Sequence, residues 1–210
     1  MPKTQEQFEE IRTERKQLLK NVALKLFAEQ GYTRTSISQI AKKANVSKGL
    51  MYNYFQSKEE LMIFILNTLI EDFSRYIDPN RDNIITEEEA LSFIDIIFDL
   101  LKNKRESFRH YFQLIFQPEV MQLINQSNII RKDIMEQISL LLDFFSKRQK
   151  ETDLEIAKVN ILAFAEGFLM RYVYFPHQFT DAFMEKYKIY LKELIVNNTL
   201  IANDISNATI

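Results

Sequence analysis

This chain has no cysteine and very little glycine or proline. Its 210 residues include no cysteine, three glycines and four prolines. The lack of cysteine excludes disulfides and thiolate metal sites. Because glycine and proline form turns and interrupt helices, their scarcity favours long helices and predicts an all-α fold. No apolar run approaches the roughly 18 residues of a membrane span. The polar N-terminus does not resemble a signal peptide, so we expect a cytoplasmic protein with no membrane partner.

Signals of an enzyme are equally scarce. The only two histidines, His110 and His177, do not have the spacing of a zinc motif. No glycine-rich phosphate loop and no nucleophile elbow occur. The acidic run Glu87–Glu89 stands at a predicted helix start, where the helix dipole explains it. The sequence therefore predicts no catalytic residue, no metal site and no cofactor, and an enzyme is the least favoured of the alternatives.

The charge is distributed unevenly, although the net charge is only −2. The segment 11–58 contains ten basic and two acidic residues, a local balance of +8, so the remainder carries −10. A basic N-terminal module on an acidic body fits a phosphate-binding head joined to a separate domain. An ordinary solvated face is the alternative that charge alone leaves open.

Two short helices joined by a tight turn are predicted after a long first helix. The apolar periodicity predicts that the first helix runs from about Gln5 to Gln30, with Gly31 as a left-handed cap. Ser36 is positioned to cap the second helix in a capping box with Gln39. Asn45 falls at the turn, where a positive φ is needed and asparagine tolerates it. Ser47 then caps a third helix, and the pattern is that of a helix-turn-helix.

A recognition helix must pack one face on its own domain and present the other to a DNA groove. The spacing predicts that Met51 and Phe55 face inward. Lys48 suits guanine or phosphate, Leu50 a thymine methyl, and Asn53 adenine or phosphate. Each residue alone is more often core or solvated, but their order together is specific. The predicted DNA contacts are Thr35, Ser36, Ser47, Lys48, Gly49, Leu50, Tyr52, Asn53, Tyr54 and Lys58.

The segment from Arg15 to Leu66 resembles the TetR family of bacterial transcriptional regulators. The resemblance lies in the stretches 26–32, 35–41, 46–55 and 57–61. Asn45 departs from the usual glycine, and Leu50 from a small polar residue. The apolar periodicity and the caps predict about nine helices in all, with a boundary near Gln56. The resemblance implies a three-helix DNA-binding head (residues 1–56) and a helical effector-binding and dimerisation domain (residues 57–210).

The last two predicted helices carry apolar stripes that suit either a monomer core or a dimer interface, and the pattern leaves both open. Small residues four apart let another helix approach closely. The resemblance implies a four-helix dimer interface, which would make the protein a homodimer that binds a pseudo-palindrome. The predicted interface residues are Ala163, Gly167, Phe183, Tyr187, Leu191 and Leu194.

The middle of the chain is unusually aromatic, as small-molecule pockets are, although each ring alone is more often core. Arg171, on a mostly apolar helix, is expected to be buried and to need a partner or an anionic ligand. The resemblance implies a small apolar or amphipathic effector in this region. The predicted pocket residues are Phe98, Phe108, Phe112, Phe116, Phe145, Phe168, Arg171 and Tyr172.

The leading hypothesis is a homodimeric repressor that an effector releases from a palindromic double-stranded DNA operator. Such release requires the effector to prefer one conformation. The alternative is a helical protein-interaction adaptor that lacks an effector response and whose head no longer reads DNA. A steep fall of DNA affinity with salt would favour the regulator over the adaptor.

Overall fold

The structure is a computed structural model and describes residues 4–126, 131–148 and 153–196. These ranges contain ten α-helices, one more than the approximate number expected, one short 3-10 helix at Pro176–Gln178, and no strand. The all-α fold class is confirmed. The helices are α1 (Gln5–Gln30), α2 (Ile37–Lys43), α3 (Lys48–Tyr54), α4 (Lys58–Ser74), α5 (Glu87–Asn103), α6 (Arg105–Ile115), α7 (Pro118–Gln126), α8 (Lys132–Ser146), α9 (Leu154–Tyr174) and α10 (Asp181–Val196).

The cap residues predicted from the sequence agree well with the helix starts in the structure. Ser36 forms the predicted capping box with Gln39. The sequence also predicts a box of Thr86 with Glu89 at the start of α5, and the structure forms it. Gly31 ends α1 with φ 93° and ψ 145°. The positive φ suits glycine, but the extended ψ lies outside the left-handed helical region expected of a cap.

Helix α9 begins differently from the prediction. The sequence predicts a cap at Thr152, with Glu155 three residues on, but Thr152 lies outside the described residues. The Asp153 carboxylate caps the helix by accepting from the N–H groups of Glu155 and Ile156. The apolar pattern also predicts that α8 runs from Ile129 to Lys150 and that the last helix ends at about Asn197. These three residues lie outside the described ranges.

The chain divides into two compact units, and the division falls inside α4 and α6 rather than at Gln56. The first unit comprises residues 1–69 and 109–131. Its core joins α1, α2 and α3 to the first half of α4, where Leu61, Met62 and Ile65 are fully buried. The Tyr111 hydroxyl donates to the Ile65 carbonyl at 3.1 Å. This burial explains why the head extends beyond three helices.

The second unit comprises residues 70–108 and 132–210. Helix α5 packs on α10, and α8 packs on α9. The Phe168 and Tyr187 rings stack with centroids 4.7 Å apart, and Phe98 lies 6.1 Å from Phe168. These rings tie α5, α9 and α10 into one core.

No helix within the three described ranges has both the length and the apolar character that crossing a bilayer requires.

Candidate nucleic-acid interface

The turn between α2 and α3 is fixed by backbone hydrogen bonds. Asn45 has φ 55°, as predicted for this position. The Val46 N–H donates to the Ala41 carbonyl at 3.0 Å, and the Asn45 N–H donates to the Lys42 carbonyl at 3.2 Å. This pair of bonds is a Schellman motif, which ends α2 sharply and sets the direction in which α3 leaves.

Helix α3 has the two faces that its sequence predicts. Met51 and Phe55 are buried at 0% and 2% exposure and anchor the helix to the head. On the opposite face Lys48 and Asn53 are exposed, and Tyr52 is 46% exposed. The Lys48 ammonium lies 6.0 Å from the centre of the Tyr52 ring. A lysine, a phenol and an amide therefore share one accessible face.

A shallow depression of about 340 Å³ lies between this face and the start of α2. Its lining contains three basic side chains and several hydroxyl groups but no carboxylate, a composition that suits a phosphate oxygen. The lining residues are Thr33, Arg34, Thr35, Ser36, Ile37, Ser38, Lys48, Tyr52 and Lys58.

Thr35 lines this depression, but its side chain has another role. The residue is 1% exposed, and its hydroxyl donates to the Gly31 carbonyl at 2.8 Å and more weakly to the Leu26 carbonyl. A buried hydroxyl bonded in this way holds the end of α1 against the start of α2. Its side chain is therefore unsuited to the phosphate contact predicted from sequence, because contact with DNA would require exposure.

Lys58 is likewise committed within the head. Its ammonium donates to the backbone carbonyls of Tyr32, Thr35 and Thr33 at 2.9, 3.2 and 3.4 Å. It also lies 4.3 Å from the centre of the Tyr32 ring. Burial lowers the pKa of this ammonium. All three of its donors are used internally, so Lys58 pins the 32–35 connection instead of offering a free phosphate ligand.

Five of the other predicted contacts differ in accessibility or role. The Ser36 and Ser47 hydroxyls are exposed but cap their helices, accepting from the N–H groups of Gln39 and Leu50. Leu50 and Tyr54 are half-buried, and Tyr54 packs against the core of the head. Gly49 is exposed, with only the Ser47 hydroxyl near where a side chain would begin. The outer face is therefore narrower than the sequence predicts.

Arg34 and Ser38 are residues that sequence reasoning missed. Both are exposed, and both line the depression with Lys48 and Tyr52. Their positions in the sequence could have indicated them as candidate DNA contacts, because Arg34 stands two residues before the Ser36 cap and Ser38 lies in the first turn of α2.

The residues of the predicted effector pocket do not form one group. Phe112 and Phe116 belong to the first unit and stack on each other, and Phe116 is 53% exposed. In the second unit, Phe108 packs on Phe73, and Phe145 is half-buried beside Phe144. Rings that fill one another's space leave less room for a ligand than a count of aromatics suggests.

Two further pocket residues have partners that the sequence did not reveal. Arg171 was expected to be buried, but it is exposed and donates to the Gln178 amide oxygen at 2.8 Å. It therefore needs no anionic ligand. Tyr172 is buried, and its hydroxyl donates to the Leu101 carbonyl at 3.3 Å.

The predicted interface residues fall into two sets. Ala163 and Gly167 are exposed, and no atom lies within 4 Å of a side chain added at Gly167. Phe183 is exposed, but Tyr187, Leu191 and Leu194 are half-buried and help to form the core of their own unit. Sequence reasoning missed other exposed apolar residues on α9 and α10, namely Leu154, Ile156, Val159, Leu162, Phe164, Met170, Tyr174, Ile189, Tyr190 and Val196.

Residues 20–63 match the family model described as bacterial regulatory proteins of the tetR family. This segment contains α2, α3 and the turn between them. This segment is similar to the DNA-binding segment of the TetR family. The resemblance predicted from sequence is thereby confirmed, and the head is the family's helix-turn-helix.

Two curated relatives are similar over the same region. The uncharacterised regulator YuxN of Bacillus subtilis is 50% identical over 54 residues, which are 26% of this chain and 19% of YuxN. The regulator HbdR of an Aromatoleum species is 41% identical over 78 residues, which are 37% of this chain and 34% of HbdR. The chain thus spans about a fifth of the length of YuxN and about a third of the length of HbdR.

Solved structures extend the likeness of fold beyond the head. FadR of Bacillus subtilis, solved with stearoyl-CoA, superposes with a TM-score of 0.62 at 22% identity, covering 87% of this chain and 98% of FadR. NalD of Pseudomonas aeruginosa, described as a repressor of a multidrug efflux pump, has a TM-score of 0.60 at 21% identity, covering 89% of this chain and 95% of NalD. At such identities the likeness establishes the TetR-like fold alone.

Proposed function

We propose that this chain is a homodimeric transcriptional repressor that binds a palindromic DNA operator through the outer face of α3. The observation that carries the proposal is the arrangement of α3, in which Met51 and Phe55 are buried while Lys48, Tyr52 and Asn53 are accessible. A helix so anchored can enter a major groove without losing its packing on the head.

Each accessible group has a suitable acceptor on duplex DNA. Lys48 and Asn53 can hydrogen-bond base edges, lysine to guanine and asparagine to adenine. Tyr52 and Arg34 can donate to phosphate oxygens from the depression that they share with Lys48. Ser38 adds a hydroxyl beside them. We leave the side chains of Thr35 and Lys58 out of the contact set because their donors are used within the head.

Dimerisation is supported by the apolar surface of α9 and α10. Val159 is 64% exposed, and several further apolar residues on these two helices are also exposed. Gly167 and Ala163 would let a partner helix approach closely. An apolar patch of this kind is costly in water and marks a protein–protein contact. A twofold dimer would present two α3 helices to half-sites about 34 Å apart on one face of the duplex.

We further propose that a small apolar or amphipathic effector releases the operator. The second unit has an aromatic core built from α5, α9 and α10, and FadR, of similar fold, was solved with stearoyl-CoA. Stearoyl-CoA is therefore the first probe, with free coenzyme A as the matched control. If the acyl chain is what binds, stearoyl-CoA displaces the protein from DNA and raises its melting temperature, whereas coenzyme A does neither.

Selection of bound sequences from random duplexes tests the DNA proposal directly. We expect the enriched sequences to share a pseudo-palindrome, and the affinity for it to fall steeply between about 50 and 200 mM salt because phosphate binding releases counterions. An adaptor whose head does not read DNA would enrich no sequence and show no such fall. That result would reject the regulator and favour the adaptor.

A further inference from the structure

The segment that joins α4 to α5 has the spacing of a calcium-binding EF-hand loop. In that loop of twelve residues, oxygen ligands stand at positions 1, 3, 5 and 12, as Asp or Asn in the first three and as Glu in the last. Counting from Asp78, these positions hold Asp78, Asn80, Asp82 and Glu89. The single departure is Asn83 at position 6, where glycine is the rule.

The backbone conformation at Asn83 shows that this residue can take the place of the usual glycine at position 6. Glycine is required at position 6 because the chain turns sharply there, and a positive φ is costly for most other residues. Asn83 has φ 63°, in the left-handed region that asparagine tolerates better than most residues. The turn that glycine normally allows is therefore made by Asn83.

The elements around the loop also match a helix–loop–helix. Helix α4 ends at Ser74, a turn covers 75–77, and α5 begins at Glu87, the tenth position of the loop. Ile77 and Ala90, which bracket the loop, are buried at 2% and 0% exposure. The loop is thus held at both ends by apolar contacts while most of its polar residues face solvent.

Asp78 supplies an observation that is independent of the spacing. The residue is only 3% exposed, yet its Oδ1 atom is buried without any hydrogen-bond partner. Its Oδ2 atom accepts from the Asn83 N–H at 2.9 Å, which turns the carboxylate toward the interior of the loop. A buried carboxylate oxygen without a partner is costly, and a cation would satisfy it.

The remaining loop oxygens are positioned by local hydrogen bonds. Asn80 Oδ1 accepts from the Asp82 N–H at 3.0 Å, and Asp82 Oδ1 accepts from the Ile84 N–H at 2.8 Å. Glu89 Oε2 accepts from the Thr86 N–H and hydroxyl, both at 2.9 Å. Within the described residues, no three Asp, Glu, His or Cys side chains are already gathered around one point. Ligation therefore requires the Glu89 carboxylate to turn from its cap toward the loop.

We propose that residues 78–89 bind one Ca²⁺ ion. The ligands are the Asp78 and Asp82 carboxylates, the Asn80 amide oxygen, the Ile84 carbonyl and both oxygens of Glu89, and water completes the shell. Flexible ligands that are all oxygen suit Ca²⁺ better than Mg²⁺, which demands a tighter octahedron. The site has no bearing on whether α3 binds DNA, and the two proposals can fail separately.

Calorimetric titration of the full-length chain, freed of metal by a chelator, tests the site. We expect one Ca²⁺ per chain with a Kd between about 10⁻⁶ and 10⁻³ M, the range of sensor and weaker EF-hand loops. Ca²⁺ should also raise the melting temperature relative to a chelator, because it binds the folded loop. Mg²⁺ at the same concentration should give a much smaller rise.

Paired variants identify the ligands. Glu89→Gln keeps the capping box, since glutamine serves at that position, but removes a bidentate ligand, so Ca²⁺ affinity should fall at least about tenfold. Glu88→Gln removes the same charge one residue earlier and should leave the affinity unchanged. Asp78→Asn can still accept from the Asn83 N–H, and its melting temperature should no longer respond to Ca²⁺.

Three results would overturn the proposal. The first is a wild-type chain that shows neither heat nor a melting shift up to about 10 mM Ca²⁺, well above the weakest EF-hand affinities. The second is an equal loss in Glu88→Gln and Glu89→Gln, which would indicate general charge screening. The third is an equal response to Mg²⁺.

Discussion

The side-chain amide of Gln117 bridges two backbone groups at the end of α1. Its oxygen accepts from the Tyr32 N–H at 2.7 Å, and its nitrogen donates to the Phe27 carbonyl at 2.8 Å. Tyr32 is 85 residues away in sequence. One side chain thus satisfies the Tyr32 N–H and gives the Phe27 carbonyl a second donor beside the Gly31 N–H. It also ties the α6–α7 junction to the head.

Gln117→Ala should destabilise the chain. The partly buried Tyr32 N–H would lose its partner and the Phe27 carbonyl one of its two donors, so we expect the free energy of unfolding to fall by about 1–3 kcal/mol. Chemical denaturation monitored by circular dichroism measures this change. Gln122→Ala, at an exposed site on α7, is the matched control and should have little effect. Equal losses in the two variants would mean that the bridge does not stabilise the head.

Lys48→Ala should weaken DNA binding without affecting dimerisation. If its ammonium meets a phosphate, the slope of log affinity against log salt should shrink by about one. Tyr52→Phe removes only a hydroxyl and should weaken binding to a smaller extent. Gel-shift titrations at several salt concentrations measure both effects. Lys147→Ala, an exposed lysine of the second unit, is the control. Normal operator binding by both head variants would show that the wrong face was assigned to DNA.

Val159→Glu should convert a dimer into a folded monomer. The substitution places an unpaired charge in the apolar surface of α9, and burying that charge against a partner is unfavourable. Sedimentation velocity measures the change, and circular dichroism checks that the helices persist. Met121→Glu also replaces an exposed apolar residue, but on α7, and should leave the assembly unchanged. A dimeric Val159→Glu protein would place the interface elsewhere.

Tyr187 should make the second unit sensitive to alkali. Burial, followed by the nearby Tyr190, raises the pKa of its phenol to about 12 from 10.0. Since the folded state favours the neutral phenol, its stabilising contribution is complete below pH 10 and disappears as the pH rises through about 12. Tyr187→Phe, which cannot ionise, should therefore lose less stability between these pH values than the wild type.

Denaturation midpoints at pH 8 and pH 11 provide the comparison. Tyr174→Phe, at a residue that is 41% exposed, is the control for removing a tyrosine. Its pH response should match that of the wild type. A Tyr187→Phe protein that loses as much stability as the wild type would show that this phenol does not limit alkaline stability.

The local sequence was sufficient to predict the caps and the turn of the helix-turn-helix. Ser36, Asn45 and Ser47 each act on backbone groups within a few residues, so caps and turn could be predicted without knowing the fold. The inward face of α3 followed for the same reason, because the spacing of Met51 and Phe55 along one helix fixes which side they share.

Contacts between segments distant in the sequence determined which of the predicted side chains are accessible to DNA or to a ligand. The sequence predicts Thr35 and Lys58 as DNA contacts, but folding brings carbonyls of the 26–35 region to their donors. Arg171 was expected to be buried, but its register on α9 leaves it exposed beside Gln178. The sequence pattern determined where helices begin, end and turn, since those signals act over a single turn. Which polar groups remain free for a ligand depended on packing between segments, because neighbours distant in the chain compete for the same donors.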